Sequence, residues 1–156
     1  MSSSDVTGTP GEKRLEGIGG WLILLAVGQV LGPIQFMTST IEEYAALPSG
    51  TFARFPLAVS GDFLLRAAYV ALLCYAAYLF FTKRAEFPRL YIAAIGVGFV
   101  FPLVIGTWVS LTTGVNTLAN LGSWEFLKFY LLTLVVGVVW ISYLLNSVRV
   151  RNTFVR

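Results

Sequence analysis

The chain has 156 residues, of which 56% are hydrophobic and only 12% are charged, and its mean hydropathy is +0.76. These values lie outside the range of ordinary soluble domains, and the length leaves room for one helical bundle without a second domain. The net charge is +3, with no histidine and one cysteine, so the commonest metal ligand is missing and an intrachain disulfide is excluded.

The first 16 residues contain several Ser, Thr and Gly and few apolar side chains, which predicts a flexible cytoplasmic head. Lys13 and Arg14 followed by an apolar run could also begin a signal peptide cut near residues 26–28. The run continues to about Met37, however, which is too long for the apolar core of a typical signal peptide. We therefore expect the first apolar segment to be retained as a membrane span.

Four long apolar stretches predict four membrane spans, at about residues 18–40, 63–82, 90–111 and 126–145. A hydrocarbon core about 30 Å thick requires about 20 residues of helix, and each stretch is long enough. Backbone groups cannot hydrogen-bond to lipid, so these segments must be helical. Residues 17–147 are thus predicted to form an all-α, integral membrane four-helix bundle of two sequential transmembrane hairpins.

The basic residues lie next to alternate ends of these spans, and they predict the orientation of the chain. They precede span one, separate spans two and three, and follow span four: Lys13, Arg14, Lys83, Arg84, Arg89, Arg149, Arg151 and Arg156. Lys and Arg accumulate in cytoplasmic loops, so both termini and the middle loop are predicted to be cytoplasmic. The segment 42–61 is then the longest loop and lies on the outer face.

Small residues and prolines within the spans suggest where helices approach each other closely. Gly28 and Gly32 have GxxxG spacing in span one, and other glycines extend this pattern to spans three and four: Gly98, Gly106 and Gly137. Such residues form either packing faces within the monomer or a face for a partner helix. Pro33 and Pro102 each remove one helical hydrogen bond and are predicted kinks. They either bend the helices statically or line a path.

Arg66 is the clearest charge within a span and needs a partner or access to lipid headgroups. Asp62 lies four residues earlier on the same helical face, and Glu125 is expected at the same depth on span four. Lys128 would compete for the same acids. We therefore predict an outer ion-pair cluster of Asp62, Arg66, Glu125 and Lys128, with an outer ligand site as the alternative.

Residues 148–156 mix basic and apolar side chains and are predicted to be a basic cytoplasmic tail. Arg149, Arg151 and Arg156 would lie close to the inner leaflet. Basic side chains near an anionic membrane surface gain about 1 kcal/mol each. The tail could contact lipid headgroups or a partner subunit, and the sequence does not distinguish the two.

The two ends of the chain resemble a known bacterial membrane family. Residues 17–22 read GIGGWL and open a span that continues to Gly32 and Pro33. The C-terminal part contains a matching set of residues: Trp140, Tyr143, Leu144, Ser147, Arg149, Val150, Thr153, Phe154 and Val155. Together they resemble the family called "domain of unknown function 2569", over about residues 17–156. The resemblance implies a four-helix bacterial inner-membrane protein and supplies no catalytic residues.

No nucleophile–base pair, phosphate loop or metal motif is present, so a non-enzymatic membrane protein is the leading hypothesis. We expect an accessory or scaffold subunit that contacts lipids and a membrane-protein partner or further copies of itself, without nucleic acid. No cofactor is predicted, although apolar grooves could hold lipid, quinone or pigment without a motif.

One alternative is a small oligomeric transporter with a polar path along Gln29, Thr107, Ser110 and Thr112. The other is an enzyme with an outer site at Glu42, Glu43, Arg54, Asp62 and Arg66.

Overall fold

The computed structural model describes residues 17–155, apart from the side chains of residues 120, 121 and 129. Four helices are long and apolar enough to cross a membrane: α1 (Trp21–Ala45), α3 (Pro56–Phe81), α4 (Phe87–Thr113) and α5 (Trp124–Asn146). Two short helices, α2 (Thr51–Arg54) and α6 (Val148–Thr153), and a 3-10 helix at Thr117–Gly122 complete the described part, which contains no strand. The predicted all-α membrane bundle is confirmed. The predicted head and Arg156 lie outside the described residues.

The first hairpin is longer than the sequence predicted, because most of the segment 42–61 is helical. Helix α1 continues to Ala45, and α3 begins at Pro56 rather than near residue 63. Proline is favoured in the first helical turn, where its missing N–H would have no partner inside the helix. Gly50, with φ of 87°, makes the turn before α2. The prolines and glycines of this segment therefore mark helix ends and a short turn rather than one long loop.

The long helices pack mainly with their neighbours in the chain. Helix α3 contacts α1 on one side and α4 on the other, and α5 packs against α4. The turn between α3 and α4 contains Lys83 at a positive φ of 54°. The N–H of Arg84 donates to the Leu79 carbonyl over 3.0 Å, and the N–H of Lys83 donates to the Phe80 carbonyl over 3.1 Å. These bonds form a Schellman motif, which ends α3 abruptly and starts α4 beside it.

The main apolar core lies where α1 begins and α5 ends, which we call the proximal end of the bundle. It joins residues from the long helices and the C-terminal segment: Leu22, Leu25, Leu79, Phe80, Phe87, Leu144, Val150 and Phe154. The opposite end, with the α1–α3 and α4–α5 connections, is the distal end. Packing is therefore concentrated proximally, and the distal half of the bundle is more open.

The C-terminal segment contributes two apolar side chains, Val150 and Phe154, to this core in addition to its basic residues. The Phe154 ring packs on Phe80 and Phe87 at centroid distances of 5.6 and 4.8 Å. The Thr153 hydroxyl donates to the Gly17 carbonyl over 3.3 Å, and the Arg149 guanidinium lies against the backbone at Gly19. Val150 and Phe154 are thus buried inside the bundle, whereas Val148 and Val155 are exposed.

Candidate functional site

Arg66 is the centre of a polar cluster between the distal ends of α1 and α3. Its Nε donates to Asp62 Oδ2 over 2.9 Å, and its Nη2 lies 2.7 Å from Glu43 Oε2. The Tyr44 hydroxyl donates to the same Asp62 oxygen over 2.6 Å, and Arg66 Nη1 donates to Thr40 Oγ1 over 3.4 Å. Asp62 and Arg66 meet because they lie four residues apart on one helix. We call Thr40, Glu43, Tyr44, Asp62 and Arg66 the Arg66 cluster.

The Arg66 cluster contains two carboxylates and one guanidinium, so it carries an excess negative charge when both acids are ionised. The side chains of Arg66 and Asp62 are only 16% and 12% exposed, whereas that of Glu43 is 60% exposed. Asp62 Oδ1 is buried and has no hydrogen-bond partner among the described residues. The accessible part of the excess charge is therefore at Glu43. This arrangement is suited to binding a positively charged group.

A groove of about 600 Å³ opens beside the Arg66 cluster, between α1 and α4. We call it the α1–α4 groove. Helix α1 contributes Gly32, Gln35, Phe36 and Ser39. Helix α4 contributes Phe101, Pro102, Ile105 and Gly106. Glu43, Thr40 and Arg66 line its distal part.

The groove is closed underneath by three aromatic rings, one from each neighbouring helix. Phe36 of α1, Tyr69 of α3 and Phe101 of α4 contact each other at centroid distances of 4.8 to 5.7 Å. The Tyr69 hydroxyl lies against the backbone of Gly98, which it can approach because glycine has no side chain. Proximally, the Gln29 side chain of α1 is buried, with only 3% of its surface exposed. The groove is thus open only in the distal half of the bundle.

Two polar side chains in the groove were not singled out from the sequence. Gln35 and Ser39 are exposed on α1, and neither makes a hydrogen bond with another described residue. They continue the line of Gly28 and Gly32 along the helix, since residues three and four apart share a face. This spacing of small and polar residues was the available signal. It was missed because the polar residues were considered singly rather than by helical face.

The predicted outer ion-pair cluster is corrected by the structure. Arg66 pairs with Asp62 and Glu43, whereas Glu125 and Lys128 lie on α5 and make no ion pair with a described residue. The span prediction placed Glu43 in a loop, and the added turns of α1 bring it to Arg66. Of the proposed enzyme residues, Glu42 stays exposed and Arg54 lies over the Phe55 ring, 5.3 Å from its centroid. These two do not join the Arg66 cluster.

The predicted glycine faces separate into internal and open positions. A Cβ at Gly98 would overlap Tyr69, and one at Gly137 would be 3.2 Å from Ile95 Cγ2, so both glycines serve packing inside the bundle. At Gly28 and Gly32 a Cβ would meet no described atom within 4 Å. Gly106 lines the groove, and its carbonyl accepts a hydrogen bond from Thr117 Oγ1 over 2.7 Å. Of the predicted glycine positions, Gly28 and Gly32 therefore leave space for another molecule, and Gly106 lines the groove.

The prolines and polar residues expected to form a path are not arranged as one. Helices α1 and α4 continue through Pro33 and Pro102, and only Pro102 lines the groove. The four proposed path residues are scattered: Gln29 is buried, Ser110 bonds Thr117, Thr112 bonds the Trp108 carbonyl, and Thr107 lies in a separate depression beside Leu65. Within residues 17–155, no group of three or more His, Cys, Asp or Glu side chains could hold a metal ion.

Comparison with known proteins places the chain in a family. The family model described as "Protein of unknown function (DUF2569)" matches residues 15–155. No curated protein and no solved structure matches the chain. The match covers all four long helices, the Arg66 cluster, the groove and the C-terminal segment, so this multi-pass membrane protein belongs to the DUF2569 family.

Proposed function

We propose that this protein is a non-enzymatic accessory subunit of a membrane assembly, which binds another membrane protein through the open face of α1. The observation that carries the proposal is a face of small and polar residues, Gly28, Gly32, Gln35 and Ser39, without a partner among the described residues. We place the protein in a bacterial inner membrane with both termini in the cytoplasm, because its basic loops follow the positive-inside rule.

The physical reason is the cost of leaving such a face against lipid. Hydrocarbon supplies no hydrogen bonds, so an amide or hydroxyl at membrane depth gains from a partner on another helix. Small residues let two helix backbones approach closely and increase van der Waals contact. Both features occur together on α1, in the part of the bundle with the least internal packing.

The test is purification of the tagged full-length protein in mild detergent or nanodiscs, with mass spectrometry of the proteins that co-purify. We expect a partner membrane protein in stoichiometric amount. The variant Gly32→Leu should lose the partner, because it adds bulk to the open face at a position where a Cβ meets no described atom within 4 Å. Gly96→Leu is the matched control, since Gly96 on α4 is also open. A partner-free preparation, or equal loss in both variants, would contradict the proposal.

Transport by a small oligomer is a second candidate, and one observation favours it. The α1–α4 groove is lined distally by the charged Arg66 and Glu43, while the proximal end is closed by the apolar core. A pathway open to one side of a membrane has this arrangement. A homo-oligomer that gives solute flux in liposomes, with the flux lost in Glu43→Gln, would support this candidate over the accessory role.

A further inference from the structure

We propose that the α1–α4 groove holds one transmembrane helix of the partner, and that this helix carries a lysine or arginine near its distal end that pairs with Glu43. The inference rests on the proposed accessory function and specifies both the surface and the chemistry of the occupant. It combines three observations: the dimensions of the groove, its unsatisfied polar lining and its excess negative charge.

The dimensions of the groove fit several turns of a helix. The lining of α1 runs from Gly32 to Glu43, and eleven residues at 1.5 Å each span about 16 Å. This length is about half the thickness of a hydrocarbon core. Gly32 on one wall and Gly106 on the other have no side chains, which allows the backbone of the occupant to approach both walls.

The polar lining favours a helix over a lipid chain. Gln35 and Ser39 line the groove and make no hydrogen bond with another described residue. An acyl chain offers neither donor nor acceptor, so it would leave both groups unsatisfied in an apolar environment. A helix can present polar side chains at this depth, and interhelical hydrogen bonds of this kind stabilise membrane helix pairs.

Charge determines which helix fits. The charged groups of the Arg66 cluster beside the groove are Glu43, Asp62 and Arg66, two acids against one base. Arg66 is already bound by two carboxylates, so a phospholipid phosphate would meet an excess of negative charge. A lysine or arginine would instead pair with the exposed Glu43 without adding an anion. A basic side chain near a helix end can also extend to the interface.

The test places the photoreactive residue p-benzoylphenylalanine at single positions of the full chain and irradiates intact membranes. The positions Ser39 and Ile105 sample molecules inside the groove. Val135, which is exposed on α5, is the control position outside the groove. We expect both groove positions to cross-link to one transmembrane peptide of the co-purifying partner, and Val135 not to do so. Cross-links from the groove to lipid alone, or to the partner only from Val135, would overturn the inference.

The charge is tested with neighbouring carboxylates as a matched pair. Glu43→Gln should reduce the co-purified partner about tenfold, whereas Glu42→Gln should change it less than about twofold, because Glu42 does not line the groove. Replacing the basic residue of the cross-linked peptide with Glu and Glu43 with Lys should restore the complex. Equal effects of the two glutamine variants would overturn the charge assignment.

A partner that still co-purifies but never cross-links from the groove would refute this inference alone, whereas no partner at all would refute the proposed function as well.

Discussion

The indole ring of Trp108 on α4 lies against the backbone of Gly61 on α3, and its Nε1 donates to the Ala58 carbonyl over 3.1 Å. A Cβ at Gly61 would overlap the indole ring. This contact holds α3 and α4 together at the distal end, where the groove leaves α1 less supported. The backbone of Gly61 is helical and has no positive φ, so its conformation does not require glycine. Glycine is needed here because a side chain would occupy the space of the indole ring.

Gly61→Ala should therefore destabilise the bundle by about 1–3 kcal/mol, the usual cost of inserting a methyl group into a packed contact. The measurement is SDS-induced unfolding in mixed micelles, followed by circular dichroism. Gly96→Ala is the control, because a Cβ there meets no described atom and alanine favours the helix. In a Trp108→Ala background, Gly61→Ala should cost much less, which is the signature of direct coupling. Additive losses would refute the contact.

Arg66→Met should destabilise the bundle by about 3–5 kcal/mol, because it leaves the Asp62 carboxylate buried without its counter-charge. The double variant Asp62→Asn, Arg66→Met should recover part of this loss, since the remaining amide carries no charge. SDS-induced unfolding again gives the free energies. Lys128→Met serves as the control, because Lys128 makes no ion pair with a described residue. Equal losses in the two single variants would contradict a structural role for the Arg66 cluster.

Phe154→Ala should destabilise the protein by about 3 kcal/mol, because it removes a 6%-exposed ring from the proximal core. Val155→Ala should have little effect, since Val155 is 69% exposed. Unfolding in mixed micelles compares the two variants. If the two changes proved equivalent, the C-terminal segment would be a surface tail and not part of the core.

Lys83→Gly should stabilise the protein by about 1 kcal/mol. The residue lies at a positive φ in the Schellman motif that ends α3, and glycine adopts this conformation without a clash of Cβ. Ala85→Gly in the same turn should not stabilise, because Ala85 is not at a positive φ. A loss of stability in Lys83→Gly would show that another contact of this side chain outweighs the backbone strain.

The predicted orientation can be tested with single cysteines in a Cys74→Ser background. Ser49 lies in the α1–α3 connection and Ala85 in the α3–α4 turn, and both are exposed. In intact cells, a membrane-impermeant maleimide should label Ser49→Cys and should label Ala85→Cys only after lysis. The positive-inside rule is the reason for this expectation. The reverse pattern would place the termini outside.

Much of the membrane architecture could be predicted, because the hydropathy and charge of each segment can be summed from its own residues without knowing how the helices pack. Length, hydropathy and the spacing of charges predicted four helical spans, and the terminal residues pointed to the DUF2569 family. The helix ends around residues 42–61 were predicted less well. Pro56 and Gly50 were interpreted as loop residues, although proline also begins helices and glycine also makes short turns.

The candidate site was predictable only in its local part. The spacing of Asp62 and Arg66 indicates that the two side chains can meet on one helix. The partner Glu43 is 23 positions earlier on another helix, and its contact depends on how far α1 continues and which face it turns to α3. Glu125 also carries a carboxylate, and its expected depth in the membrane alone made it an equally good partner for Arg66.

By itself, the sequence determined that this protein is helical and spans a membrane four times, because the cost of exposing backbone and charges to hydrocarbon is the same wherever the helices pack. The tertiary structure decided which polar and small residues are satisfied. Gly61 and Gly98 are used for close packing, whereas Gly32, Gln35 and Ser39 face an open groove next to Glu43. In lipid, apolar helices have little hydrophobic preference for one another, so shape and a few hydrogen bonds decide which faces meet. Those properties arise only between segments distant in the chain.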